Sequence, residues 1–371
     1  MKFTVSSTEL LHHLQIGGGA IASNPVLPVL EDFLFTLEGD KLKISSTNLE
    51  TSISTVMEVN GEEPGRVAVP AKILIDTLKG LPEQPVTLAV DEEIYGIEIT
   101  SAYGRYKLAG DPPDEFPALP VPDQVESVNM NSNMMLSAIN KTLFATSNDE
   151  LRLAMTGVFF QVDFNQLTVV ATDAHKLVKC VYTDIQSDQT ANFIVPKKTL
   201  NLLKSALPTD VPIKMSFNNN NTFFEFEDTS IACRLIDARY PDYNAVIPTD
   251  NNNMLLVGRQ DLLSSLKRIA IYANKTTNQV VLNLSDGSMT VSAQDLDFSN
   301  EATEQIPCSY TGDNMNIGFN ARFLVEMLSV LSSDEVQFEL SSPNRASLLT
   351  ETDKTPGEDL LMLVMPVMMS H

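Results

Sequence analysis

The sequence predicts an α+β chain in which one domain is written three times, each copy two helices packed on β-sheets. Two observations carry this. Marker residues recur in the same order at matched intervals along the 371 residues. Each recurrence holds two amphipathic helical patterns among many strand-like runs. A helix with one apolar stripe needs a sheet to cover it, so each copy reads as an α+β domain. Pro-rich and Asn-rich joints at Pro117 to Pro122 and Pro248 to Asn253 place the domains at 1–123, 124–249 and 250–371. Like domains joined at like angles curve, and a curve with matching ends closes into a ring.

The first copy opens with a helix announced by Ser6-Ser7-Thr8-Glu9, with Leu10, Leu11 and Leu14 at helical spacing. Gly17-Gly18-Gly19 ends it; no GxxxxGK[ST] pattern follows, so the triplet reads as termination and not as a phosphate loop. Phe33 to Leu37 turns at Glu38-Gly39-Asp40 into Lys41 to Ile44, a hairpin signal. Val67 to Lys72 opens a second helix with Pro70 in its first turn and Ile73, Leu74, Leu78 and Leu81 on its apolar face. Two more strands surround Tyr95 and Arg105 to Leu108.

The order then restarts. Leu136, Ile139 and Leu143 follow Asn131-Ser132-Asn133, Phe159 to Val162 pairs with Leu167 to Val170, and Pro196-Lys197-Lys198 opens the second helix. The third copy begins at Gly258, turns at Asp286-Gly287, and opens its last helix at Asn320-Ala321-Arg322. Four series keep step: Leu10, Leu136 and Leu262; Asn48 and Asp173, with Asp295 nearly so; Pro70, Pro196 and Asn320; Phe116-Pro117 and Tyr240-Pro241.

Composition bounds the function. A formal net charge of -23 argues against binding nucleic acid through the whole surface, but leaves room for a local basic stripe. Lys72, Lys198 and Arg322 hold one position in all three copies, and Lys141 matches Lys267 with Gln15 in the first copy. Lys79, Lys197, Lys204, Arg268 and Lys275 lie on or at the ends of the same helices. Such a surface suits phosphates read by charge, without sequence specificity. Cys180, Cys233 and Cys308 are odd in number and lack CxxC spacing, so neither disulfides nor structural zinc are expected, and a reducing cytoplasm is. No signal peptide is visible, and the apolar stretch Leu360 to Met369 is about half the length of a membrane span.

The stretch Val169 to Leu177 ends in Thr172-Asp173-Ala174-His175-Lys176-Leu177. An Asp-His pair beside a hydroxyl admits a hydrolase-type reading with Asp173, His175 and Thr172. A strand-to-turn junction is the plainer reading. Only four histidines exist, and neither a nucleotide-binding nor a nucleophile-elbow motif appears. A repeat scaffold that binds only proteins is the other alternative.

Met1-Lys2-Phe3-Thr4-Val5, Pro25-Val26-Leu27-Pro28-Val29-Leu30, Ala171 to Leu177, Tyr240-Pro241-Asp242-Tyr243 and Val364-Met365-Pro366 together resemble the bacterial sliding clamp family, the beta subunit of the replicative DNA polymerase, over essentially the whole chain. The resemblance implies three clamp domains per subunit and a head-to-tail homodimer forming a closed ring around duplex DNA. It implies no enzymatic activity, no cofactor and no metal. The implied partners are the polymerase, an ATP-driven clamp loader and other proteins carrying short clamp-binding peptides, with no membrane. The implied peptide pocket is Met155, Thr172, Ala174, His175, Lys176, Leu177, Pro241, Val246, Asn320, Phe323, Ser347, Leu363, Met365, Pro366 and Val367. The family often has Gly and Arg where Ala174 and Lys176 stand. The expected DNA-facing set is Asn24, Lys72, Lys141, Lys197, Lys198, Lys204, Lys267, Arg268 and Arg322. Tyr106 and Leu108 at one end, and Ile271 and Tyr272 at the other, are the expected dimer patches.

Overall fold

The structure, a computed structural model, describes residues 1–21 and 25–368. Among them are six α-helices: α1 (Ser7–Gly17), α2 (Ala71–Lys79), α3 (Ser132–Thr142), α4 (Lys197–Ala206), α5 (Arg259–Ile269) and α6 (Ala321–Val330). Strands make up most of the remainder. The chain packs into two compact units, Met1–Asn133 with Lys198–Leu235 and Met134–Lys197 with Ile236–His371. This division differs from the sequence repeat because, inside each unit, sheet pairing runs from one repeat into the next.

In the first unit, five described strands run in the order Asn60–Glu63, Lys2–Ser6, Pro85–Asp91, Gly96–Thr100, Arg105–Ala109. Eight more run Glu126–Asn131, Pro212–Phe217, Asn221–Phe226, Thr229–Arg234, Thr51–Glu58, Lys41–Thr47, Asp32–Glu38, Gly65–Pro70. The join between repeats is the antiparallel pair Thr229–Arg234 with Thr51–Glu58, in register Thr229 to Thr55 and Cys233 to Thr51. Leu10, Leu14, Phe33, Phe35, Leu42, Ile44, Leu74 and Leu78 form the core of this unit's first repeat. Each such side chain contributes roughly 1.5–3 kcal/mol by leaving water. The hairpin at Gly39 has φ +58°, a backbone that glycine adopts without a Cβ clash.

The second unit carries one sheet of twelve described strands. Its order begins Ala191–Pro196, Gly157–Asp163, Gln166–Thr172, Lys176–Tyr182, Glu358–Val364, Ser347–Glu351, Glu335–Leu340. It continues through Asn253–Gly258, Asn300–Thr311, Ser288–Asp295, Gln279–Ser285 and Met315–Asn320. Here the repeat-to-repeat join is Lys176–Tyr182 with Glu358–Val364, in register Lys176 to Val364.

The fold corrects the sequence reading at several points. Ser7 and Ser132 both open their helices and exchange backbone and side-chain bonds with the residue just before the strand that follows the second helix: Ser7 N donates to Gln84 O, and Ser132 N to Val211 O, at 2.8 Å each. With α3 opening at Ser132, the counterpart of Leu10 and Leu262 is Met135, fully buried like them, and Leu136 is one position out. One residue turns a helix face by about 100°. The same slip removes Lys141 from the Gln15 and Lys267 position, which Asn140 holds, exposed. Lys141 instead points inward, 8 % exposed, with its ammonium against Glu358 and 3.9 Å from Glu351. It offers no free charge to a phosphate.

Pro70 precedes α2 as its cap residue and does not lie in the first turn. Ile73, expected on the apolar face of that helix, is 51 % exposed. Three strands, not two, complete the first repeat, and Tyr95 occupies the turn between two of them at φ +54°. Leu108, expected at a dimer surface, is buried in the core of its own unit, with Tyr106 packed against that core. Asn24 lies outside the described residues.

Candidate functional site

Thr172 to Leu177 joins the strands Gln166–Thr172 and Lys176–Tyr182, with Thr172 opposite Leu177. Local side-chain bonds shape the turn. Asp173 Oδ1 accepts from the backbone N–H of His175 and of Lys176, both at 2.9 Å. Thr172 Oγ1 donates to Lys176 O at 2.8 Å and accepts from Ala174 N at 3.2 Å. The middle residue, Ala174, is held at φ +76°. The first repeat builds the same turn: Asn48 Oδ1 accepts from Glu50 N and Thr51 N, and Leu49 has φ +75°.

This geometry leaves no catalytic dyad. The Asp173 carboxylate is used by the backbone and by Lys176 Nζ at 3.1 Å. The His175 ring stacks against Phe323, with centroids 6.2 Å apart. Cys180 and Cys233 are buried, and burial pushes the Cys233 thiol up to about 12, so it stays protonated and unreactive. Among the described residues no group of three or more His, Cys, Asp or Glu side chains is placed to hold a metal ion.

What the turn does is gather apolar residues. Leu177 lies opposite Leu363, and Ser347 opposite Val364. Val170, Leu177, Tyr240, Tyr243, Leu348 and Leu363 form one buried cluster, with Ala154 and Ile247 against it. Tyr240 stacks on Phe159 at 4.7 Å and donates its hydroxyl to Val170 O, which fixes the neighbouring Pro241. Tyr243, in the turn Tyr243–Val246, donates to Gln161 at 3.0 Å, and Val246 is left 56 % exposed. Past the last strand, Met365 N donates to His175 O and Val367 N to Gly318 O, each at 2.8 Å. These bonds bring Met365, Pro366 and Val367 beside the turn and near Asn320. Lys176 is behind the wall and not on it: 5 % exposed, its Nζ is 2.9 Å from Glu326 and lies over the Phe323 ring at 4.3 Å. Met155 accepts from Ser147 N at 2.8 Å through its backbone, next to Ala154, which packs against the cluster.

The basic positions divide. Lys72, Lys198 and Arg322 are each the second residue of α2, α4 and α6, and all three are exposed. Lys204 and Lys267 are exposed. Lys197 reaches Asn148 at 3.2 Å. Arg268 is forked onto Glu304, both bonds 2.7 Å, which holds the Glu304 carboxyl down at about 2. Sequence reasoning missed the Lys141 group with Glu351 and Glu358, because only the fold brings α3 to these strands. An exposed Leu296 and Phe298 in a turn of the third repeat were legible as apolar residues outside any periodic run, and were not singled out.

Comparisons agree over the whole chain. The family described as DNA polymerase III beta subunit matches with its N-terminal domain at residues 1–120, its central domain at 129–242 and its C-terminal domain at 244–367. The beta sliding clamp of Vibrio cholerae is 29% identical over 99% of this chain and 100% of its own length. That of Escherichia coli is 30% identical over 92% of this chain and 93% of its own. The crystal structure of the Pseudomonas aeruginosa sliding clamp bound to griselimycin covers both chains fully, with a TM-score of 0.94 at 28% identity. Neither a hydrolase using Asp173 and His175 nor a protein-only scaffold finds support in these relatives. Three clamp domains in a row, a turn that builds an apolar wall instead of a catalytic site, and a threefold-repeated basic position lead to one conclusion: the chain belongs to the family of DNA polymerase III beta subunits, the bacterial sliding clamps.

Proposed function

We propose that two copies of this chain close head to tail into a ring around duplex DNA in the cytoplasm, and that the Thr172 to Leu177 wall holds partner peptides. As a sliding clamp the chain is a processivity factor of the replicative polymerase and not an enzyme. The observation that carries the ring is a pairing rule. In each unit, the last strand of one repeat pairs antiparallel with the third long strand of the repeat before it: Thr229–Arg234 with Thr51–Glu58, and Glu358–Val364 with Lys176–Tyr182. Two strands of this kind are left over. Arg105–Ala109 is an edge strand, and Asn300–Pro307 pairs on one side only among the described residues. Paired between two copies, they complete the rule twice and close the ring.

Charge fits the pairing. Arg105 and Lys107, which share Glu98, are exposed on one edge, and Glu301 is exposed on the other, beside the Glu304 that Arg268 holds. Exposed Ile271 and Tyr272 are on a turn, Ala270–Tyr272, that packs against Asn300–Thr311 beside the open edge. Tyr106 would meet them there, with Leu108 supporting it from the core.

We assign the domains to 1–123, 124–249 and 250–371; the matched family segments, 1–120, 129–242 and 244–367, support a threefold division of this kind. Lys72, Lys198, Arg322, Lys204 and Lys267 are assigned to the DNA-facing side, with Lys197 and Arg268 as partly engaged members. Among the described residues no helix is long and apolar enough to cross a membrane. The partner pocket takes short, extended peptides with a Gln, a Leu and a terminal Leu-Phe pair, whose apolar side chains fill the wall of Leu177, Pro241, Val246 and Met365. The test is sedimentation of an Ile271→Asp, Tyr272→Asp double variant. Folded monomers are expected; an unchanged dimer would place the interface elsewhere.

A further inference from the structure

The third copy of a repeated turn is apolar and exposed: Leu296 is 78 % and Phe298 72 % accessible. The turn sits between the strands Ser288–Asp295 and Asn300–Thr311. In the other two repeats the matching turn has a fixed neighbour, the second helix of the next repeat. Beside the Asn48 turn, Thr51 Oγ1 is 2.7 Å from Thr199 Oγ1 of α4. In the Asp173 turn, the His175 ring stacks on Phe323 of α6. Thr199 and Phe323 are the third residues of their helices. The third residue of α2 is Ile73.

Ile73 differs from its two counterparts: among the described residues it is the exposed one of the three. It is 51 % exposed in a shallow depression formed with Pro70, Lys72, Asp76 and Thr77. The strand Gly65–Pro70 contacts both α2 and the open-edged strand Arg105–Ala109, so one strand links the element that carries the depression to the edge assigned to ring closure.

We propose that Leu296 and Phe298 seat on Ile73 of a second copy, forming an apolar latch on each side of the ring. The proposal rests on the head-to-tail reading and adds to its strand pairing a contact of different chemistry. The first two junctions use a hydroxyl pair and a ring stack. The ring-closing junction uses aliphatic and aromatic surface, whose burial needs neither hydrogen-bond nor charge registry to re-form after the ring opens. Losing the burial of one Phe or Leu side chain should shift the dimer equilibrium at least tenfold, about 1.4 kcal/mol.

The test is sedimentation equilibrium of the full chain. A Leu296→Asp, Phe298→Asp variant and, separately, Ile73→Asp should each raise the dimer dissociation constant at least tenfold while leaving the far-UV spectrum unchanged. Adding Ile73→Lys to Phe298→Asp should restore part of the loss. A chain carrying Ile73→Cys and Phe298→Cys should cross-link between copies on oxidation, and either single variant should not. A dimer that is unaffected by the Asp variants and fails to cross-link overturns the latch and leaves the head-to-tail reading standing. A wild-type chain that is monomeric at every concentration overturns the reading beneath it.

Discussion

The backbone N–H of Met365 donates to the carbonyl of His175 at 2.8 Å. This bond ties the end of the chain to the Asp173 turn, and so couples two segments far apart in sequence into one wall. Met365 is 38 % exposed there, a flexible thioether that adapts to differently shaped side chains.

A chain truncated after Val364 should therefore lose peptide binding and keep its dimer. The strand pairing of Lys176–Tyr182 with Glu358–Val364 survives that cut. Partners that must exchange bind modestly, with Kd near ~1 μM, or about -8 kcal/mol. Calorimetry with a Gln-Leu and Leu-Phe peptide checks this: heat is expected with the full chain and none with the truncated one.

Ala174 occupies φ +76°, where its Cβ is strained. Ala174→Gly should raise unfolding free energy by up to about 1 kcal/mol, the strain relieved less the extra flexibility of glycine in the unfolded chain. Urea denaturation measures it, and peptide affinity should fall by no more than the loss of one wall methyl allows, about 1 kcal/mol.

Lys141 is the opposite case. Its ammonium lies against the largely shielded side chain of Glu358 and near the buried Glu351, and Glu351 also accepts from Ser332 N at 2.6 Å and Ser333 N at 3.1 Å. Removing one partner of a buried ionic group leaves the other charges uncompensated, at a cost of about 3–5 kcal/mol. Lys141→Met should show that loss in urea denaturation. The same change at Lys72 should cost almost nothing in stability.

Asp32 is 4 % exposed, with one carboxylate oxygen lacking a protein partner. Burial first, then the hydrogen bond and negative charge of Asp111, push its pKa up to about 7. The folded state thus holds a proton that the unfolded chain releases near pH 4. Its contribution is full below that pH and is lost as pH rises through about 7. Asp32→Asn should flatten this dependence and stabilise the protein at pH 8, as thermal melts across pH 5 to 8 would reveal.

Much of this was legible in the residues. The three-fold order, the six helices and the strand-turn-strand at Asp173 follow from period and turn chemistry. Lys72, Lys198 and Arg322 keep their shared position because Pro70, Pro196 and Asn320 mark each helix start. The lysine at 141 was misread because the Leu136 marker is one residue out of step, and a helix converts that slip into a different face. Leu108 lies in the core of its own unit beneath Tyr106, a placement that strand alternation alone does not give, because it does not say which side is core. The Met365 to His175 bond, and the approach of Glu351 and Glu358 to Lys141, depend on long-range pairing, which no local pattern encodes.

Ring closure makes DNA retention topological, so it should not depend on the strength of any phosphate contact. With few free lysines on a chain of net charge -23, open contact with DNA should be weak, its log-log salt slope rising about 0.9 per phosphate neutralised. The most direct measurement loads the protein with a clamp loader and ATP onto nicked circular DNA, raises the salt, and then linearises the DNA with a restriction enzyme. The expected result is protein that stays on the circle through high salt and leaves within the time of cutting. Protein that dissociates from the intact circle as salt rises, or that stays on the linear DNA, would contradict encirclement.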